Sequence, residues 1–100
     1  MKDTVFLAQP MLDKNYDELF NERKTKTREL EHMGYIVINP GLVEDVNICP
    51  KALVKTLNLL VGADCAYFLK GWKFDKLCAI ANAICAEYGI KAYYEDPSKE

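Results

Sequence analysis

The chain is 100 residues long, half of them apolar and 28% charged, a composition that fits one globular domain and excludes disordered and fibrous classes. A formal net charge of −2 gives no reason to expect a nucleic-acid partner, and no apolar run approaches the roughly 18–20 residues of a membrane span. A chain of this size buries roughly 60–70% of its unfolded surface, enough for one modest core.

Met1-Lys2-Asp3-Thr4 passes directly into Val5-Phe6-Leu7-Ala8 with no signal-peptide pattern, and a cytoplasmic protein is expected. Residues 5–8 are too short for a helix, are closed by Gln9-Pro10, and read as a buried strand. Asn15 opens the first helix. Its side chain can accept from the backbone N–H of Glu18, and Glu18 can reach back, a capping box with Asn in place of Ser or Thr. Tyr16, Leu19, Phe20, Thr27 and Leu30 recur near helical spacing, and Gly34 supplies the left-handed stop. Tyr35-Ile36-Val37-Ile38 is the second strand, ended by Asn39-Pro40.

Residues 41–49 form a polar loop, after which Pro50 suits the first turn of a helix. Leu53, Leu57 and Leu60 mark its buried stripe and Gly62 ends it. Residues 64–69 are the third strand, followed by a Gly71-Trp72 loop. The third helix covers about 75–88, with Leu77, Ile80, Ala81, Ile84, Cys85 and Tyr88 inward. Gly89 ends it, residues 90–94 make the fourth strand, and 96–100 are a polar tail beyond a single domain spanning 1–95.

Right-handed crossovers make these strands parallel. The expected fold is α/β: a flavodoxin-like three-layer sandwich with a four-stranded parallel sheet in the order 2-1-3-4. Such sheets bind ligands beyond the carboxyl ends of the strands, at the switch point between strands one and three. That rule selects loops 8–14, 39–48 and 70–76. Cys49, Cys65, Cys78 and Cys85 form no C-x-x-C pair and His32 is the only histidine, so no metal site is expected and the cysteines read as reduced thiols, mostly buried.

The run Val5-Phe6-Leu7-Ala8-Gln9-Pro10-Met11, a helix holding Phe20, then Gly34-Tyr35-Ile36-Val37-Ile38-Asn39-Pro40, Ala63-Asp64-Cys65-Ala66-Tyr67-Phe68-Leu69 and Gly71-Trp72 together resemble the nucleoside 2-deoxyribosyltransferase-like superfamily, above all its small bacterial and phage members. The likeness covers about residues 4–94. It implies a flavodoxin-like fold, homo-oligomers with sites near subunit boundaries, and ligands built from a base and a ribose. Enzymes of that superfamily use a Glu on the helix after strand three to attack the anomeric carbon. Aligned through Gly71-Trp72, that Glu falls at Ala81, and a second family acid falls near Thr56. The small relatives carry Gly-Trp, Arg-Gly-Cys and Glu-His-Glu runs. Cys78 is kept, but Lys76, Leu77 and Ala81-Asn82-Ala83 replace the rest. Asp75 matches an active-site Asp.

Covalent glycosyl chemistry needs a carboxylate to attack, and an alanine methyl cannot. Asp75 reads as a helix N-cap, a ligand contact or a weak catalytic candidate, in that order. Glu87 lies on another face, and Cys78 has no His near it in sequence to activate it. Lys70, Lys73 and Lys76, with Lys51 and Lys55, form either a solvated basic edge or a phosphate-holding group. Trp72 reads equally as a base-stacking or a packing residue. Phe6, Tyr67 and Phe68 read as core or interface residues. Met11 reads first as loop packing, and Gln9 and Asn39 are strand-end groups that could bond a base or ribose.

The leading expectation is a non-catalytic binder with no cofactor, holding a nucleotide-type ligand through Ala8, Gln9, Pro10, Met11, Asn39, Gly71, Trp72, Lys73, Asp75 and Lys76. Loss of the Glu would also leave space for a bulkier ligand. By family analogy, one version is a phage protein that sequesters a host immune cyclic nucleotide or cyclic ADP-ribose signal. The alternatives are an N-glycosidase or deoxyribosyltransferase, and an oligomeric structural or interaction domain.

Overall fold

A computed structural model describes residues 3–10, 15–38 and 50–95. The elements, in chain order, are β1 (Thr4–Ala8), α1 (Tyr16–His32), β2 (Ile36–Ile38), α2 (Pro50–Val61), β3 (Cys65–Phe68), a 3₁₀ turn (Trp72–Phe74), α3 (Lys76–Tyr88) and β4 (Lys91–Tyr94). All strands pair in parallel, in the order β2-β1-β3-β4. The expected flavodoxin-like α/β topology is the one observed. The polar tail, 96–100, lies outside the described residues.

Alternation along the strands sorts the core into two layers. Phe6, Ala8, Ala66 and Phe68 face Leu60 of α2 and Cys78, Ala81 and Cys85 of α3. Val5, Leu7, Cys65 and Leu69 face the other way, where Leu30 of α1 joins them. Both faces of β1 and β3 are thus apolar, which is why 5–8 reads as an unbroken hydrophobic run.

Asn15 caps α1 as expected: its Oδ1 accepts from Glu18 N at 2.8 Å. Glu18 does reach back, but its carboxylate takes the Asn15 side-chain amide at 3.2 Å. At the other end of the sheet's last crossover, Gly89 takes φ +72° as the C-cap of α3, so that Ile90 N can close on Cys85 O at 2.9 Å.

One expectation, the inward Tyr88, needs correction, and the helix surfaces gain detail. Tyr16 and Phe20 are exposed and stack on each other with ring centroids 6.3 Å apart. Only Leu19 and Leu30 of α1 are buried, because this helix lies alone on its face and touches the sheet along a narrow stripe. Tyr88 is 77% exposed rather than inward, since Cys85 and Ile90 already fill that end of the core. The loop after β3 contains a 3₁₀ turn, so α3 starts at Lys76 with Asp75 outside it as cap. Cys65, Cys78 and Cys85 are buried free thiols, and burial pushes the Cys65 and Cys85 thiols up. Cys49 lies outside the described residues.

Candidate functional site

The carboxyl edge of the sheet is where β1 and β3 deliver their loops side by side. Leu69 N donates to Ala8 O at 3.0 Å, extending the β1–β3 ladder one step beyond the strands. Gly71 then turns the chain with φ +90°, a conformation that disfavours any residue with a Cβ. A Cβ there would stand 3.8 Å from Pro10 Cγ, so the backbone angle, not crowding, calls for glycine. The same distance places the β1 and β3 loops side by side.

Each sequence-derived candidate has a definite place. Ala8 is buried in the core, with its carbonyl committed to Leu69. Pro10 is buried beside Gly71. Trp72 is half-buried in an aromatic cluster, its ring 5.5 Å from Phe68 and 5.4 Å from Tyr94, centroid to centroid. Lys73 places its ammonium 5.8 Å from the Trp72 ring centre, and Lys70, Lys73 and Lys76 are all exposed. Met11 and Asn39 lie outside the described residues.

Asp75 Oδ2 accepts from Cys78 N at 3.1 Å, which makes it the N-cap of α3. Its carboxylate occupies the positive end of the helix, the position a bound phosphate would otherwise favour. The expectation that free N–H groups of this helix face a phosphate is weakened accordingly, and any anion held here falls to the lysine side chains.

Ala81 and Thr56 are both buried. Ala81 is wholly enclosed among Phe6, Ala8, Phe68 and Cys78. Its small side chain therefore opens no space for a bulkier ligand; close packing has taken up the volume.

Gln9 is 5% exposed, on the face of the sheet that α1 covers. Its Nε2 donates to Leu19 O at 2.8 Å and to Glu22 Oε1 at 3.0 Å, while its Oε1 is buried with no protein hydrogen-bond partner among the described residues. Such groups are rare in folded proteins and mark places where something else is bound or intended.

Several groups at this edge escaped sequence reasoning. Glu95 accepts from Lys70 N at 2.9 Å and lies 3.4 Å from Lys26 Nζ, joining the end of β4 to the β3 loop and to α1. Burial works against the Lys26 ammonium, but its hydrogen bond to Glu29 and the charges around it prevail and raise its pKa. Asn82 Nδ2 donates to the Tyr94 hydroxyl, tying α3 to the end of β4. Phe74, 80% exposed in the 3₁₀ turn, is the open aromatic of the loop that Trp72 was a candidate to be. Glu22 could have been found only by knowing that α1 crosses beside Gln9.

A separate groove of about 430 Å³ lies on the α1 face, lined by Val5, Leu30, Met33, Tyr35, Tyr67 and Tyr93 among others, with no charged residue. Among the described residues there is no cluster of three or more His, Cys, Asp or Glu side chains that could hold a metal. No described helix is long and apolar enough to cross a membrane. No protein-family model matches the chain, and no curated protein sequence matches it.

Proposed function

We propose that this chain is a non-catalytic binder of a nucleotide-type ligand, seated at the carboxyl edge between the β1 and β3 loops. The observation that carries the reading is the commitment of Asp75. The acid nearest this edge on α3 is engaged as a helix cap, and Ala81, which the resemblance to the deoxyribosyltransferase-like superfamily matches to a nucleophile, is a buried methyl. The exposed side chains of the β3 loop and the start of α3 are cationic and aromatic: Lys70, Lys73, Lys76 and Phe74. Such groups hold phosphates and stack bases but break no N-glycosidic bond.

The ligand is a phosphorylated nucleoside, with a cyclic dinucleotide or a cyclic ADP-ribose species as the form that suits a phage-encoded, cytoplasmic protein sequestering an immune signal. Exposed Val54 and Val61 on α2 and Tyr88 on α3 support assembly into a homo-oligomer. Calorimetry against cyclic dinucleotides, cyclic ADP-ribose, ADP-ribose and the nucleoside monophosphates tests the proposal. Binding with the ligand recovered intact is expected; no heat and no thermal shift across the set would sink it. Release of free base that Asp75→Asn abolishes would replace it with the N-glycosidase reading.

A further inference from the structure

We propose that Glu22 and the Leu19 carbonyl together lock the side-chain amide of Gln9 so that Gln9 Oε1 is a preset acceptor for an O–H or N–H group of the ligand at the carboxyl edge. The inference rests on the nucleotide-binding reading and gives it a chemical direction.

Both Nε2 hydrogens of Gln9 are used, one on the Leu19 carbonyl and one on the Glu22 carboxylate. Rotating the amide by half a turn would set Oε1 against those two acceptors and leave the NH₂ group without any. The amide therefore has one orientation, and it leaves the oxygen, buried and without a protein donor among the described residues, as the acceptor still to be paired. Gln9 is the residue after β1, and its neighbour Pro10 lies beside the Gly71 turn, so Gln9 is near the start of the loop that carries Lys73.

A fixed amide oxygen discriminates. It accepts from a ribose hydroxyl, an exocyclic amine or a ring N–H, and it repels phosphate oxygens and base carbonyls. The lysines after β3 have the opposite preference. A nucleotide spanning the edge is thereby oriented, with phosphate toward Lys70, Lys73 and Lys76 and a neutral donor toward Gln9. A site built to satisfy a donor also rejects analogues lacking one, because its buried acceptor is then left unpaired. Glu22 is a positioning residue here: it touches Gln9, not the ligand.

The test is a cycle on the full chain with AMP, GMP, CMP and UMP, together with their 2′-deoxy and 3′-deoxy forms and purine riboside monophosphate, which lacks the exocyclic amine. One deletion of a ligand donor should weaken binding about tenfold in the unaltered protein and cost nothing further in Gln9→Leu, since one neutral hydrogen bond is worth about that factor. Glu22→Gln, whose amide can donate as well as accept, removes one of the two acceptors that oppose a flip while Leu19 O keeps the other, so it should weaken the preferred nucleotide and reduce discrimination between donor-bearing and donor-deleted forms. The Gln9 side-chain amide resonance should shift on binding in the unaltered protein. If donor deletion costs the same in Gln9→Leu as in the parent, or Glu22→Gln discriminates as before, the inference fails while the binder reading stands. If no nucleotide binds, both fall.

Discussion

The two ends of the sheet solve the same problem differently. At the amino end, Thr4 N and Thr4 Oγ1 both donate to Asp64 Oδ2, at 2.8 and 3.0 Å, and Asp64 N donates back to Thr4 O and Oγ1 at 3.0 and 3.1 Å. β1 and β3 are clamped by short reciprocal bonds in full contact with solvent. At the carboxyl end the ladder also closes, through Leu69 to Ala8 and Glu95 to Phe68, yet Gln9 Oε1 has no protein donor among the described residues and Phe74 is open to solvent. An unpaired buried group costs stability and asks for an explanation. Under the proposed function the amino end holds the fold and the carboxyl end meets the ligand, and each prediction below bears on that division.

The largest effect is expected from Ala81→Glu. The site is 0% exposed and packed on all sides, so a carboxylate there is buried without a partner and should cost roughly 3–5 kcal/mol, enough to unfold a marginal domain. Urea denaturation would read this. A variant as stable as the parent would mean that the carboxyl end has room behind it, contrary to the packing described. Trp72→Ala comes next. Loss of the indole from the Phe68–Tyr94 cluster should cost about 2–4 kcal/mol and change the near-ultraviolet circular dichroism, whether or not ligand is present. If only ligand binding changes, Trp72 belongs to recognition rather than packing.

Asp75→Ala should lower stability by about 1 kcal/mol through loss of the α3 cap, while Asp75→Asn, which caps equally well, should cost only a few tenths. An equal, large loss from both would contradict capping as the main role. Lys73→Ala combined with Lys76→Ala should leave the thermal midpoint almost unchanged, because both side chains are exposed. It should weaken nucleotide binding several-fold and reduce its salt dependence. The smallest effect concerns the amino end. Hydrogen bonds from Thr4 hold the Asp64 carboxyl below its usual value. Because the folded pKa is the lower one, the clamp's contribution is present above about pH 4 and is lost as pH falls through the folded value. Melting curves from pH 6 to 2 should show a shallow acid loss that Asp64→Asn removes; an identical acid limb in both would exclude the clamp.

Much of the fold was legible because it rests on local signals. The run 5–8, bounded by Gln9-Pro10, can only be a short buried strand, and Asn15 with Glu18 announces the start of α1. Parallel order then follows from chain handedness. The candidate site was placed by a topological rule, in the loops beyond β1 and β3, and its contacts were not legible. Gln9 was visible as a strand-end amide; its partner Glu22 stands 13 residues away, where no sequence pattern points to Gln9. Trp72 and Phe74 are two residues apart in one short loop, and only the 3₁₀ turn decides that the first packs and the second is exposed. Tyr16, Phe20 and Tyr88 fit a helical stripe, but periodicity says which residues share a face and not how wide a contact the sheet offers.

By itself, then, the sequence determined the order of strands and helices and the parallel sheet, because hydrophobic period, caps and crossover handedness act over a few residues or follow from chirality. The tertiary structure alone decided which polar groups at the carboxyl edge are already satisfied. Asp75 is paired within its own helix, whereas Gln9 needs α1 for one end of its amide and has no protein partner among the described residues for the other. Hydrogen bonds between distant segments depend on how helices pack on the sheet, and that packing is set by the whole core at once rather than by any local run of residues.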